Sequence, residues 1–182
     1  PPVIGEPEPW LALLFEALRR LAEGNSAAGV ELRNQAFEAA EAQPGSIRTS
    51  QDKEARRFAW IADADSRFGP VFEAVINGEY YWVPFGRVRS ITIEEPTNVV
   101  DCVWTLARIV WANEGNSAAL IPTRYPGSEQ QADSMLSLSR KTEWIELGDG
   151  CEVGLGQRLW ATDSEDYPIM DVRELVFDSH RD

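Results

Sequence analysis

The stretch "WIADADSRFGP" at 60–70 holds two carboxylates two residues apart, with an arginine two further on. Asp63 and Asp65 form a D-x-D pair, and hard cations such as Mg²⁺ or Mn²⁺ take carboxylate oxygens. Arg67 sits where it can neutralise both, so the plainer account is a self-satisfied Asp–Arg turn closed by Gly69–Pro70. A second stretch, "IPTRYPGSE" at 121–129, threads Arg124 and Tyr125 between Pro122 and Pro126 and ends on Glu129. Arg124 offers a bidentate carboxylate contact, Tyr125 a flat ring with a hydrogen-bonding tip, and the prolines reduce the entropy of holding both. The structural alternative is an internal Arg–Glu or Arg–Asp pair bracing a long loop.

Further along, "RKTEWIE" (140–146) and "GQRLWATD" (156–163) each set a charge near a tryptophan. Arginine stacking on an indole is one reading, and strand core is the other. Asp63, Asp65, Arg67, Trp82, Arg124, Tyr125, Glu129, Trp144 and Arg158 make up the candidate binding set, and no metal site is assigned. Asp171 and Arg173 share a strand face by alternation, which makes them candidate cross-strand ion-pair partners for the loop arginines and acids. Glu73, Glu143 and Asp171 are carboxylates of the kind glycosidic chemistry pairs, but nothing in their spacing singles them out.

The inventory for other chemistry is thin. The single histidine, His180, stands two residues from the end, so histidine metal ligation and Ser–His or Cys–His catalysis lack their usual component. Gly154 and Gly156 lack the third glycine and the following helix of a phosphate loop. No G-x-S-x-G elbow is present. The two cysteines, Cys102 and Cys151, admit one disulfide at most.

With 182 residues and 43% hydrophobic content, the chain can build a real core. Its net charge of −13 sets it against nucleic acid and anionic membranes and suits basic protein partners. No apolar run has bilayer-spanning length, and no signal peptide is visible. The opening "PPVIGEPEPW" lacks Met and reads as a trimmed boundary with a segment upstream.

The elements that must position these residues change character along the chain. Leu11, Leu14, Leu18 and Leu21 predict an amphipathic helix stopped by Gly24. Ser26 opens a second helix carrying Ala28, Leu32, Ala36 and Ala39, ended by Pro44–Gly45. Together they predict a repeat-like helical hairpin over 1–45, which must lean on the remaining chain because one unit buries its face poorly. Residues 46–57 read as a polar, mobile linker. From Phe58 to the end, strand patterns dominate, with Asn77–Gly78 the clearest hairpin signal. A turn at Asn113–Asn116, a short helix capped by Ser128, a hairpin about Asp149–Gly150 and a last strand in "YPIMDVRELVF" complete the reading. The expected class is α+β, a helical hairpin followed by a mostly antiparallel sheet or barrel of six to eight strands over 58–182. Such pairings are non-local, so slow folding is expected.

The motifs "WIADADSRFGPVFEAVINGEYYWVPF", "VVDCVWTLARIVWANEG", "ALIPTRYPGSE", "RKTEW", "GLGQRLWATD" and "YPIMDVRE" resemble the ImpE family in order and phrasing, from about Pro9 to Phe177. "DADSRFGP" and "IPTRYPGSE" are the most specific. The resemblance implies a cytoplasmic, non-enzymatic accessory protein of bacterial type VI secretion, with no cofactor and no catalytic residue to carry over. It also implies binding to an N-terminal helix of the small sheath subunit, linking the sheath to its disassembly ATPase. The runner-up reading is a small-ligand binder or metal-dependent enzyme using Asp63, Asp65, Arg67 and Arg124.

Overall fold

The computed structural model describes residues 1–148 and 150–178. Asp149 of the expected hairpin turn and His180 lie outside the described residues. Helix α1 (Pro9–Ala22) starts on Pro9, whose missing N–H falls where no helical partner exists. Arg19 and Arg20 sit in its last turn, where cations suit the carbonyl end. Helix α2 (Ser26–Ala39) is capped by Asn25, whose side chain accepts from the Ala28 N–H at 3.4 Å. The hairpin does lean on the chain that follows. Trp10, Leu11, Leu14 and Ala36 join Phe68, Val71, Trp82 and Tyr125 in one buried cluster.

Among the described residues, thirteen strands follow: β1 (Gly45–Thr49), β2 (Arg56–Phe58), β3 (Ile61–Asp63), β4 (Val71–Ile76), β5 (Glu79–Pro84), β6 (Val88–Ile93), β7 (Trp104–Trp111), β8 (Asn116–Pro122), β9 (Thr142–Glu146), β10 (Glu152–Gly156), β11 (Leu159–Thr162), β12 (Asp166–Pro168) and β13 (Val172–Phe177). Eight form one sheet in the order β2-β1-β13-β6-β7-β8-β4-β5, with β12-β11-β3 and β10-β9 as smaller sheets. Every pairing between these strands is antiparallel.

The expectation of an α+β chain with a sheet or barrel of six to eight strands is corrected here. The main sheet is open, and the described residues contain no closed barrel. Closure would pair β2 with β5. But β2 is three residues long, and the outer edge of β5 is taken by the N-terminal segment, where Trp82 exchanges backbone hydrogen bonds with Pro2 and Ile4. Strands of three residues carry too little alternation to be counted from the sequence. The polar stretch 46–57, expected to be a mobile linker, holds most of β1 and the start of β2. Ile47 is fully buried there, while Arg48 pairs across to Glu174 at 3.4 Å.

Asn77 and Gly78 both take positive φ in the β4–β5 turn, as the hairpin signal requires. The short helix α3 (Ser134–Ser137) is capped by Asp133, whereas Ser128 opens a 3-10 turn instead. Phe72, Ile91, Ile109, Ile121 and Leu175 of the main sheet pack on Trp160 and Tyr167 of the three-stranded sheet. Among the described residues, no helix is long and apolar enough to cross a membrane.

Candidate functional site

Arg158, between β10 and β11, is fully buried and lies at the centre of a polar cluster. One guanidinium nitrogen donates to Asp63 Oδ2, a second to Glu73 Oε2, and Nε donates to the Pro122 carbonyl at 3.1 Å. The guanidinium lies between the rings of Phe68 and Tyr125, 4.8 and 4.9 Å from their centroids. Asp63 Oδ1 accepts from the Asp65 N–H at 3.0 Å and from the Tyr125 hydroxyl at 3.1 Å. That hydroxyl also accepts from the Leu159 N–H at 3.0 Å. Asp65 takes three hydrogen bonds from Arg67, two through its guanidinium and one through its backbone. From Glu73 the network runs on to the Tyr80 hydroxyl, which accepts from Trp82 Nε1 at 2.6 Å.

The cluster therefore sets three buried carboxylates against the buried Arg158 and the partly exposed Arg67. Burial pushes Asp63 up to about 6, against the pull of Arg158. Burial opposes the charge on Arg158, but Asp63 and Glu73 outweigh it and hold the guanidinium above its ordinary range. Burial, with Asp63 beside it, also raises Tyr125. Removing one partner from such a set costs about 3–5 kcal/mol, because a buried charge is left unmatched.

The two specific motifs meet on one strand. The 65–66 turn and the 125–128 loop occupy the outer edge of β10. Gly154 N–H donates to Asp65 Oδ2 at 2.7 Å, Ser66 N–H to the Glu152 carbonyl at 3.0 Å, and Gly156 N–H to Ser128 Oγ at 2.8 Å. Gly154 is required here, since a Cβ would stand 2.3 Å from the Tyr125 ring. Gly69 closes the first motif at φ +55, with Phe37 of α2 pressed where a Cβ would be, 2.1 Å away.

The structure thus brings Asp63, Asp65, Arg67, Tyr125 and Arg158 together, with Trp82 at the end of the chain of hydrogen bonds. Trp144 tilts against Tyr125 at 5.7 Å and stays exposed. Arg124 donates to the Ser137 carbonyl at the end of α3 rather than to a carboxylate. Glu129 is exposed on the 3-10 turn, beside a cleft of about 240 Å³ that Arg124 and Tyr80 also line. Among the described residues, neither Asp171 nor Arg173 pairs with a loop charge, and Arg173 donates instead to the Met170 and Val172 carbonyls. Both cysteines are free. Among the described residues, no three His, Cys, Asp or Glu side chains gather in a metal-holding group.

Glu73 entered the sequence reading only as one carboxylate among many. Its signal was a lone charge inside the apolar run "PVFEAVI", since buried carboxylates need a partner. A concavity of about 650 Å³ lies elsewhere, between the hairpin and the sheets. Trp10, Phe37, Trp60 and Phe85 line it, together with Glu41 and the Glu8–Arg87 ion pair at 3.2 Å. No candidate from the sequence reading falls in it.

A helical hairpin seated on an open antiparallel sheet, with its motif loops locked by buried ions, is the architecture to be placed. The family model described as ImpE protein matches residues 55–176, and the chain belongs to the ImpE family. It is similar to the type VI secretion system accessory component TagJ of Pseudomonas aeruginosa, at 42% identity over 178 residues. That match covers 98% of this chain and 60% of the relative, so the chain spans less than two thirds of the relative's length. A crystal structure of a Vibrio parahaemolyticus protein matches with a TM-score of 0.82 at 22% identity, covering 98% of this chain and 64% of that one. At that identity the likeness is one of fold alone.

Proposed function

We propose that this chain is a non-enzymatic, cytoplasmic accessory component of type VI secretion. It binds an amphipathic N-terminal helix of the small sheath subunit and links it to the sheath-disassembly ATPase. The observation that carries the reading is a separation. Asp63, Asp65, Arg67 and Tyr125 of the specific motifs are spent on one another and on Arg158, while a concavity of about 650 Å³ apart from them is mainly aromatic and apolar. A catalytic or metal site would converge several polar groups on its cavity, whereas here Glu8 is paired with Arg87 and the aromatic side chains make up the walls. An aromatic groove that also carries Glu41 and the Glu8–Arg87 pair suits the apolar face of a helix with a basic flank toward Glu41. Of the sequence candidates, Arg67, Arg124, Glu129 and Trp144 keep access to solvent, and the others hold the frame.

The test is calorimetric titration of the chain with a synthetic N-terminal helix of the small sheath subunit. Saturable binding at micromolar affinity or better is expected, weakened about tenfold by Trp60→Ala, which removes the 40%-exposed indole from the groove. Absence of binding would sink the reading. Binding untouched by Trp60→Ala would move the site off the groove.

A further inference from the structure

The exposed edges of this fold are treated unequally. In the main sheet, β5 is covered by the N-terminal segment, and β2 is short and bears the paired Arg56 and Arg57. Both are ordinary ways of blunting an edge. The two-stranded sheet departs from this. Its β10 edge is sealed by the two motif loops, as described above, but among the described residues β9 has no neighbour on its other side.

The ladder settles which groups are left over. Gln157 N–H donates to the Lys141 carbonyl and Leu147 N–H to that of Cys151, so residues 141, 143, 145 and 147 face β10. By alternation, Thr142, Trp144 and Glu146 turn their N–H and C=O groups outward. None of these backbone groups has another partner among the described residues. The side chains here do not repel a visitor. Trp144, Ile145 and Leu147 are 36%, 45% and 46% exposed.

Charge narrows the occupant. Glu146 stands directly across from Glu152, both exposed and neither ion-paired among the described residues. Like charges set opposite each other are unfavourable and call for a cation between them. We infer that the open edge of β9 is a docking site for an extended segment of a protein partner, rich in alternating basic and apolar residues, added as a further strand. Main-chain hydrogen bonds to Thr142, Trp144 and Glu146 hold it, and its lysines or arginines meet Glu146 and Glu152. A second copy of this chain suits the edge poorly, because it brings the same glutamates and a net charge of −13. The site is separate from the groove and does not rest on the secretion reading.

The probe is a terminally blocked octapeptide of alternating lysine and valine, with a second peptide of the same sequence carrying one central proline. Hydrogen exchange is followed at the Trp144 and Glu146 amides. The alternating peptide should bind saturably and slow both amides about tenfold, and the proline should weaken binding about tenfold. Glu146→Lys in the chain should weaken it similarly, with sheath-helix binding unchanged and the thermal midpoint no lower, since the pairing with Glu152 turns from like to opposite charge. Three outcomes overturn the inference: no binding, equal binding of the proline peptide, or a dimer in which these amides are already protected.

Discussion

Asp63 carries the clearest residue-scale consequence. Burial lifts its carboxyl from 3.8 to about 6. Between those values the folded chain holds a proton that the unfolded chain has released. The Asp63 contribution to stability is therefore complete below about pH 4 and is lost as pH rises through about 6. Its size is on the order of 3 kcal/mol over the window. Glu16 runs the other way. It is held at about 2, chiefly by its hydrogen bond to Arg19, and its contribution is present above 4.5 and lost as pH falls. Denaturant unfolding of the chain and of Asp63→Asn, at about pH 4 and about pH 7, separates the two. The original chain should gain on the variant as pH falls, and a gap that does not change with pH would contradict the assignment. At this scale the sequence exposed only local pairings. The Asp65–Arg67 turn was readable because its partners are two residues apart, whereas Arg158 meets Asp63 and Glu73 across 95 and 85 residues.

The elements depend on close approaches. Helix α2 packs Phe37 onto the backbone of Gly69, and this contact ties the hairpin to the turn that aims Asp65 at β10. Gly69→Ala would combine a strained positive φ with a collision against the Phe37 ring. A loss of about 1–3 kcal/mol is expected for the backbone strain, with more from the ring. Urea unfolding measures it, and adding Phe37→Ala should recover only the steric part. The helices were legible because leucine spacing is a strong signal over 14 residues. The three-residue strands were not, and the 46–57 stretch hid its strand because Ile47 is its one large apolar residue.

Across the whole molecule, 30 acidic residues against 17 basic ones give a field that attracts cationic partners. Binding of the sheath helix proposed above should therefore weaken several-fold between about 50 and 500 mM salt, mainly through a slower on-rate. Stopped-flow association at both concentrations checks it, and a salt-independent rate would assign the affinity to apolar contact alone. The sequence by itself determined the helical hairpin, the strand-rich remainder, the poor catalytic inventory and, through the motifs at 60–70 and 121–129, the family. These depend on local periodicity, composition and order along the chain. Only the tertiary structure decided that those motifs clamp β10, that the sheet stays open, and that the apolar groove and the bare β9 edge lie on the surface. Each depends on residues far apart in the chain meeting in space, and linear spacing does not record such meetings.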